Sequence, residues 1–383
     1  MITKRLIWRI ASICLMALLS ACSQDAAPEL ADAPLQDLSA QAECLAPDLQ
    51  MNEVQSVGSH NSYKLAIPTL EMAALSRTSK EAADALDYFH APLTEQLDLG
   101  MRQLELDVFY DPEGGLYSDP YLPSAIPSLS RRYNVPDMDK PGFKAMHVQD
   151  VDQRSHCPLF TQCLEHIKEW SNAHPNHTPI LILVNAKQDK IPLDEAVVPL
   201  AFMPEAFDAL DAEIRSVFTE DVLLTPDDVR ASAPTLREGV LQNGWPKYEN
   251  TRGKILFALD EGPEVISVYE RGQSSLQGHA MFVNSVSEVA DHTAYFTINN
   301  PLKDADQIRK TVAAGFLVRT RADADTIEAR TNDTARREAA FASGAQYIST
   351  DYYVPRKKFS DYSVSLPGDH VTRCRPYEPV LFP

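Results

Sequence analysis

The feature that most restricts the fold is a recurrence. Short continuous runs of Ile, Leu, Val and Phe alternate with stretches of helical spacing, and polar residues close the runs. Continuous apolar runs of this kind suit strands buried on both faces, as in a parallel sheet covered by helices. They predict strands over residues 54–60, 101–110, 143–147, 180–186, 254–260, 280–284, 316–320 and 346–351. Helical patterns fill the intervals at 159–173, 204–218, 305–314 and 323–343, clearest over 326–342, where Ala, Glu and Arg recur at helical spacing. Eight strands with intervening helices in about 320 residues predict an α/β fold, a (β/α)8 TIM barrel. A doubly wound open sheet is the alternative. No GxGxxG follows an early strand, so the dinucleotide fingerprint is missing, and no GxSxG elbow points to an α/β-hydrolase. No linker or low-complexity stretch interrupts residues 50–372, so residues 46–383 read as a single domain. The 54 acidic residues outnumber the 35 basic ones, for a formal charge of −19. That balance excludes nucleic acid as the main ligand and disfavours simple adhesion to anionic membranes.

The N-terminus reads as an address. Lys4, Arg5 and Arg9 precede an apolar run over residues 10–19, a signal-peptide pattern too short for a comfortable membrane span. The run ends in Leu19-Ser20-Ala21-Cys22, which resembles a bacterial lipobox. Cleavage there would remove residues 1–21 and leave Cys22 lipidated; ordinary secretory cleavage near Ala21 is the alternative. Ser23 after the cysteine fits outer-membrane sorting. Residues 22–45, rich in Ala, Asp, Gln and Pro, read as a flexible tether. The expectation is an exported bacterial lipoprotein at the outer membrane or cell surface, a monomer held to the membrane by its N-terminal lipid.

Cysteine usage agrees with export. Cys14 leaves with the signal and Cys22 takes the lipid, so Cys44, Cys157, Cys163 and Cys374 remain. An even number suits two disulfides in an oxidising compartment. Sequence alone allows three pairings; Cys157–Cys163 as a local clip and Cys44–Cys374 as a staple of the two ends are the favoured pair. A thiolate metal site lacks the paired CxxC spacing.

In a parallel barrel the C-terminal ends of the strands carry the chemistry. The first predicted strand runs into Gly58-Ser59-His60-Asn61-Ser62-Tyr63, the second contains Arg102-Gln103-Leu104-Glu105-Leu106-Asp107, the third ends at His147, and the fourth ends Asn185-Ala186-Lys187. Glu105 and Asp107, two apart on a strand, face the same side. Two carboxylates on one buried face repel unless a cation lies between them, and hard oxygen ligands select Ca²⁺ or Mg²⁺. Asn61 adds a neutral oxygen, and His60 and His147 flank the cation as acid and base. Each element alone is commonplace; the ordered combination on successive strands is specific.

That ordered set resembles the catalytic core of the calcium-dependent phosphoinositide-specific phospholipases C, which carry SHNxY after the first strand, an R-x-L-E-L-D strand and a His after the third. It also fits the wider phospholipase C-like phosphodiesterase pattern. The segments Gly315-Phe316-Leu317-Val318-Arg319-Thr320-Arg321-Ala322-Asp323 and Gly344-Ala345-Gln346-Tyr347-Ile348-Ser349-Thr350-Asp351-Tyr352-Tyr353 look like the bacterial branch. The resemblance spans roughly residues 50–355. It implies a TIM barrel of the phospholipase C-like phosphodiesterase type, with Asn61, Glu105 and Asp107 binding Ca²⁺. It further implies that His60 contacts the phosphoryl group, that His147 protonates the leaving alkoxide, and that a carboxylate such as Glu105 takes the attacking hydroxyl's proton. The expected reaction yields a cyclic inositol phosphate and diacylglycerol from phosphatidylinositol or a related phospholipid.

Two departures qualify this. Where the eukaryotic enzymes place a calcium-binding Glu on the fourth strand, this chain has Asn185, a neutral ligand. Lys187, on the same side of the strand, is placed to contact the substrate phosphate instead. The strand-five lysines are unmatched, and Asp260 stands there as a further ligand or a sugar-hydroxyl acceptor. Arg319 and Arg321 suit phosphate, with ion pairs to Asp323 or Asp351 as the competing reading. Asp351 is placed to orient an Arg or a histidine, and Tyr352 and Tyr353 to stack on an inositol ring or to pack the core. Two other functions stay open: a glycerophosphodiester phosphodiesterase, disfavoured because Asn61 stands where that family commonly has Arg, and a non-catalytic surface lipoprotein.

Overall fold

The computed structural model describes residues 48–126, 135–366, 368 and 370–374. The expected signal peptide, the lipidated Cys22, the tether and Cys44 lie outside the described residues. Among the described residues there are ten strands: β1 (Val54–Ser59), β2 (Gln103–Phe109), β3 (Lys144–Ala145), β4 (Ile180–Ala186), β5 (Ile255–Leu259), β6 (Met281–Val283), β7 (Tyr295–Thr297), β8 (Leu317–Arg321), β9 (Tyr347–Thr350) and β10 (Thr372–Cys374). Eight of them run parallel in the order β6-β5-β4-β2-β1-β9-β8-β7. A parallel bridge from Asn284 to Tyr295 brings β6 to β7 and nearly closes the barrel. The expected TIM barrel is therefore the fold.

Its strand list needs two corrections. Residues 143–147 do not form the third barrel strand. Only Lys144 and Ala145 pair there, antiparallel to β2 at Phe109 and Val108, as a short hairpin arm on the barrel's rim. The third barrel position belongs to β4, and the eighth strand is the unforeseen β7. The helix expected over 323–343 is two, Ile327–Thr331 and Ala335–Ala342. They part at Asn332, whose φ of 54° no continuous helix accepts.

Alternation along β2 sorts the side chains. Leu104, Leu106 and Val108 join the apolar layer filled by Phe160, Leu164 and Ile167 of the helix Phe160–Ala173 and Phe207, Leu210 and Ile214 of the helix Pro204–Val217. Gln103, Glu105 and Asp107 take the opposite face, inside the barrel. There the parallel register sets Asp107 beside Asn185. Gly58 is required where β1 meets β2: a Cβ there would lie 2.4 Å from the Cβ and carbonyl oxygen of Gln103. The Cys157–Cys163 disulfide is formed as expected. Cys374, in β10, lies opposite Val54 of β1, but its expected partner Cys44 is outside the described residues. Among the described residues no helix is long and apolar enough to cross a membrane.

Candidate active site

The loop after β1 delivers two of the expected residues. His60 extends the β1–β9 ladder by one bond, from its N–H to the Thr350 carbonyl (3.1 Å). Asn61 then turns the chain with a φ of 50°, a left-handed conformation that Asn tolerates better than most residues. Ser62 laces the loop to β2: its N–H donates to the Glu105 carbonyl, and its hydroxyl accepts from the Glu105 N–H. His60, Asn61 and Glu105 are thereby brought together by backbone geometry.

His147 arrives from a different direction. It follows the β3 arm and opens a tight turn in which the N–H groups of His147 and Val148 donate to the Asp152 carbonyl, with Asp150 at a φ of 67°. The turn carries the Asp152 carboxylate back beneath the ring, 2.9 Å from His147 Nδ1. Lys64 Nζ lies 3.2 Å from the same carboxylate, both side chains fully buried. Burial works to raise the Asp152 pKa, but Lys64 and His147 outweigh it and hold the group below its ordinary range. The His60 ring is held in the same manner, Nδ1 lying 2.8 Å from Asp351 Oδ1. Arg321 bonds the other Asp351 oxygen at 3.0 Å and approaches His60 Nε2 at 3.3 Å. Burial first, then the charge of Arg321, pushes the His60 pKa well below the usual imidazole value. The Tyr88 ring lies between the two histidines, its centroid 5.9 Å from that of His60 and 6.3 Å from that of His147. Each imidazole keeps 17% of its side chain exposed, enough for a substrate to reach.

Of the expected calcium ligands, Asn185 adjoins both Glu105 and Asp107, while Asn61 contacts the tyrosines beside them. Asn61 Nδ2 donates to the Tyr88 hydroxyl at 2.6 Å, which leaves its Oδ1 near the Tyr63 hydroxyl at 3.5 Å. Asn185 Nδ2 donates to Glu105 Oε1 at 3.3 Å. Asp107 is 1% exposed, and among the described residues neither of its carboxylate oxygens has an aligned hydrogen bond. Two carboxylates and two amides are an all-oxygen donor set, and the buried Asp107 carboxylate, met by an ion pair but by no aligned hydrogen bond, offers oxygens that a hard divalent cation would satisfy. The residues therefore fit Ca²⁺. Among the described residues, no group of three or more His, Cys, Asp or Glu side chains is arranged as a ready-made cage.

What sequence reasoning did not foresee is that each carboxylate already has a cation. Arg319 Nη2 lies 2.5 Å from Glu105 Oε2, and Arg319 also donates to Asn299 and Ser349. Lys187 Nζ lies 3.0 Å from Asp107 Oδ2, close but not aligned as a hydrogen bond. Burial opposes the Lys187 charge, but Asp107, Glu261 and Glu105 outweigh it and raise its pKa. Arg319 is 1% exposed, a cation built into the barrel interior. Arg321 is bound to Asp351, as the ion-pair reading expected, and still stands beside His60 Nε2; Arg319 is ion-paired too, but to Glu105 and not to Asp323 or Asp351. Asp260 joins the group: burial, partly offset by Arg319, pushes its carboxyl up to about 6. Burial likewise pushes Glu261 up to about 8. Tyr352 and Tyr353 are buried; Tyr353 stacks on His90 and its hydroxyl accepts from the Ala91 N–H. Asp152, Lys64 and Tyr88 were missed. The only signal for them is the short spacing from His147 to Asp152 and from His60 to Lys64, which means little without the turns that fold them back.

A family model for Ca²⁺-dependent phosphoinositide phospholipase C matches residues 49–376 of the chain. Among solved structures, the fold is similar to that of a calcium-dependent phosphoinositol-specific phospholipase C from the Gram-negative bacterium Pseudomonas sp. That comparison has 18% identity and a TM-score of 0.53, and covers 88% of this chain and 100% of that one. The same enzyme described with myo-inositol gives 17% and 0.51, covering 86% and 96%. A Ca²⁺-dependent phosphatidylinositol-specific phospholipase C from Streptomyces antibioticus gives 18% and 0.50, covering 83% and 99%. At these identities the structural likeness speaks for the fold. No sequence among curated proteins matches the chain.

Proposed function

The chain belongs to the Ca²⁺-dependent phosphoinositide phospholipase C family, and from that premise we propose that it cleaves phosphatidylinositol, or a related phospholipid, to a cyclic inositol phosphate and diacylglycerol. Membership makes it a phospholipase C-type phosphodiesterase. The observation that carries the finer reading is the pair of histidines flanking Tyr88, each with Nδ1 held by a buried carboxylate.

The residues divide the labour as follows. His60 Nδ1–H donates to Asp351, so Nε2 carries the lone pair and accepts from Arg321. With its pKa depressed, His60 is neutral at working pH. This supports a proton acceptor for the attacking 2-hydroxyl more than a donor to the phosphoryl oxygen, a change from the role that family resemblance implies. Arg321 then serves the phosphoryl oxygens. His147, oriented by Asp152, gives its Nε2 proton to the glycerol oxygen as the bond from phosphorus to that oxygen breaks and the bond to the inositol oxygen forms. Asn61, Glu105, Asp107 and Asn185 would hold calcium, which when bound supplies a Lewis acid for the charge on phosphorus. Lys187, Arg319 and Asp260 line the inner side, where a polyhydroxylated ring finds donors and acceptors. The lipobox supports anchoring at a membrane, which would raise the effective concentration of a lipid substrate.

Phosphorus NMR of phosphatidylinositol in mixed micelles with the protein tests the proposal. A cyclic phosphodiester signal that appears with Ca²⁺ and is lost with excess EGTA is expected. No cleavage of any inositol phospholipid with Ca²⁺ present would overturn it.

A further inference from the structure

A cavity of about 600 Å³ lies at the rim over β1 and β9; neither histidine lines it, and it adjoins them through shared wall residues. Its size is that of a small-molecule pocket. Asp351 and Tyr88 form part of its wall, and these side chains also hold or pack against His60. The rest of the wall is of two kinds. Ile67, Met72, Leu86, Phe89 and Val354 make it largely apolar. Arg356, Lys357 and Lys358 make its outer edge cationic, in a chain whose net charge is −19. Arg356 packs over Phe89 and, with Lys358, is held by Asp87, and Lys357 pairs with Asp361, while the Lys357 and Lys358 side chains stay 63% and 49% exposed. The helix Thr69–Thr78, which supplies one wall, also presents Leu70 at 45% exposure.

The two sides of the histidines thus differ in chemistry. The inner side, toward β4, β5 and β8, gathers the charged or ionisable groups Lys187, Arg319, Glu105 and Asp260. The outer side is an apolar cavity with a cationic lip. A phosphodiester gripped between His60 and His147 has one substituent for each. Resting on the phospholipase C reading above, we propose that this cavity receives the glycerol backbone and the first methylenes of an acyl chain of the substrate. The exposed lysines meet the anionic lipid interface at its mouth. The cavity then selects intact diacyl lipid over the deacylated glycerophosphodiester.

The experiment compares two ligands that share a headgroup: monomeric dihexanoyl-phosphatidylinositol and glycerophosphoinositol. Calorimetric titration of the full chain carrying His147→Ala, with calcium present, measures binding without turnover. The dihexanoyl lipid is expected to bind at least about tenfold more tightly, or about 1.4 kcal/mol. Ser76→Trp and Ala73→Trp, at exposed helix positions whose side chains line the cavity, are expected to abolish that margin and leave glycerophosphoinositol binding unchanged. Two substitutions guard against one that fails to fold, and circular dichroism checks each. Equal binding of both ligands, or a margin that survives both tryptophans, overturns the inference and leaves the headgroup reading standing. Failure of both ligands to bind overturns the headgroup reading, and this inference with it.

Discussion

Asp351 shows why identity and spacing reveal some of this site and hide the rest. The carboxylates at 105 and 107 are legible because a strand has a fixed period, so two residues apart means one face. His60 and Asn61 are legible as residues at a strand's end. Asp351 is 291 residues from His60, and only the β1–β9 pairing puts its carboxylate 2.8 Å from the ring. Its double contact, to His60 Nδ1 and to Arg321, makes a sharp prediction. Asp351→Asn keeps the shape but removes the charge that fixes the ring's tautomer and balances the arginine. Loss of turnover by about 10²–10⁴-fold is expected, the range for a displaced general base. The loss should fall on kcat, with binding of the dihexanoyl lipid to the uncleaving His147→Ala protein little changed by the added substitution. An Asp351→Asn enzyme that turns over at the normal rate would remove His60 from the role of base.

At the scale of elements, the long apolar strands were readable and the short ones were not. β4 has Ile-Leu-Ile-Leu-Val in sequence and admits no other reading. β7 is three residues, Tyr295–Thr297, among Asp, His, Thr and Asn, and its strand character comes from the neighbours it pairs with. The 143–147 segment misled for the opposite reason, being apolar enough to read as a strand although it is an arm docked on β2. What secures that arm is also testable. Glu213, on the helix Pro204–Val217, accepts from the Phe143 N–H at 3.3 Å, while its other oxygen is buried with no hydrogen-bond partner among the described residues. Burial pushes this carboxyl from its ordinary 4.5 up to about 7, against the opposing pull of the Phe143 N–H and Lys144. The folded protein therefore holds the proton more tightly than the unfolded chain, so stability falls as pH rises from about 4.5 to about 7 and is flat beyond. Glu213→Gln keeps an acceptor for Phe143 and loses the titration. Denaturant melts are expected to show the variant gaining about 1–3 kcal/mol on the parent at pH 8 relative to pH 5. A difference that does not change with pH would show that Glu213 ionises freely in the fold.

For the whole molecule, the unresolved question in the sequence was charge, and the barrel's interior answers it. Asn185 removes one carboxylate from the expected calcium set, so the sequence implied a weaker site. The fold adds a second weakening that no spacing rule could show: Lys187 from the end of β4 and Arg319 from β8 converge on Asp107 and Glu105 from opposite sides of the barrel. The metal-free barrel thus pairs these carboxylates internally, and calcium bound there would compete with two of the chain's own cations. A ligand that binds only the folded state stabilises it by roughly 2.7 kcal/mol at a hundredfold excess over Kd. Calcium, which would tie together the loops and strands of β1, β2 and β4, is therefore expected to raise the melting temperature by a few degrees. Magnesium, which demands stricter geometry and dehydrates reluctantly, should do less. Lys187→Met separates the competitor from the ligands. Without metal the variant should melt below the parent, because Asp107 is left as a buried charge with no partner, a loss of roughly 1–3 kcal/mol after allowance for the partly exposed lysine. With calcium the order should reverse in sensitivity: the variant's thermal shift exceeds the parent's, and calorimetry finds its calcium Kd lower by roughly threefold to tenfold. If Lys187→Met leaves the calcium Kd unchanged while lowering the metal-free melting temperature, the lysine stabilises the barrel without competing, and Asp107 does not bind the metal.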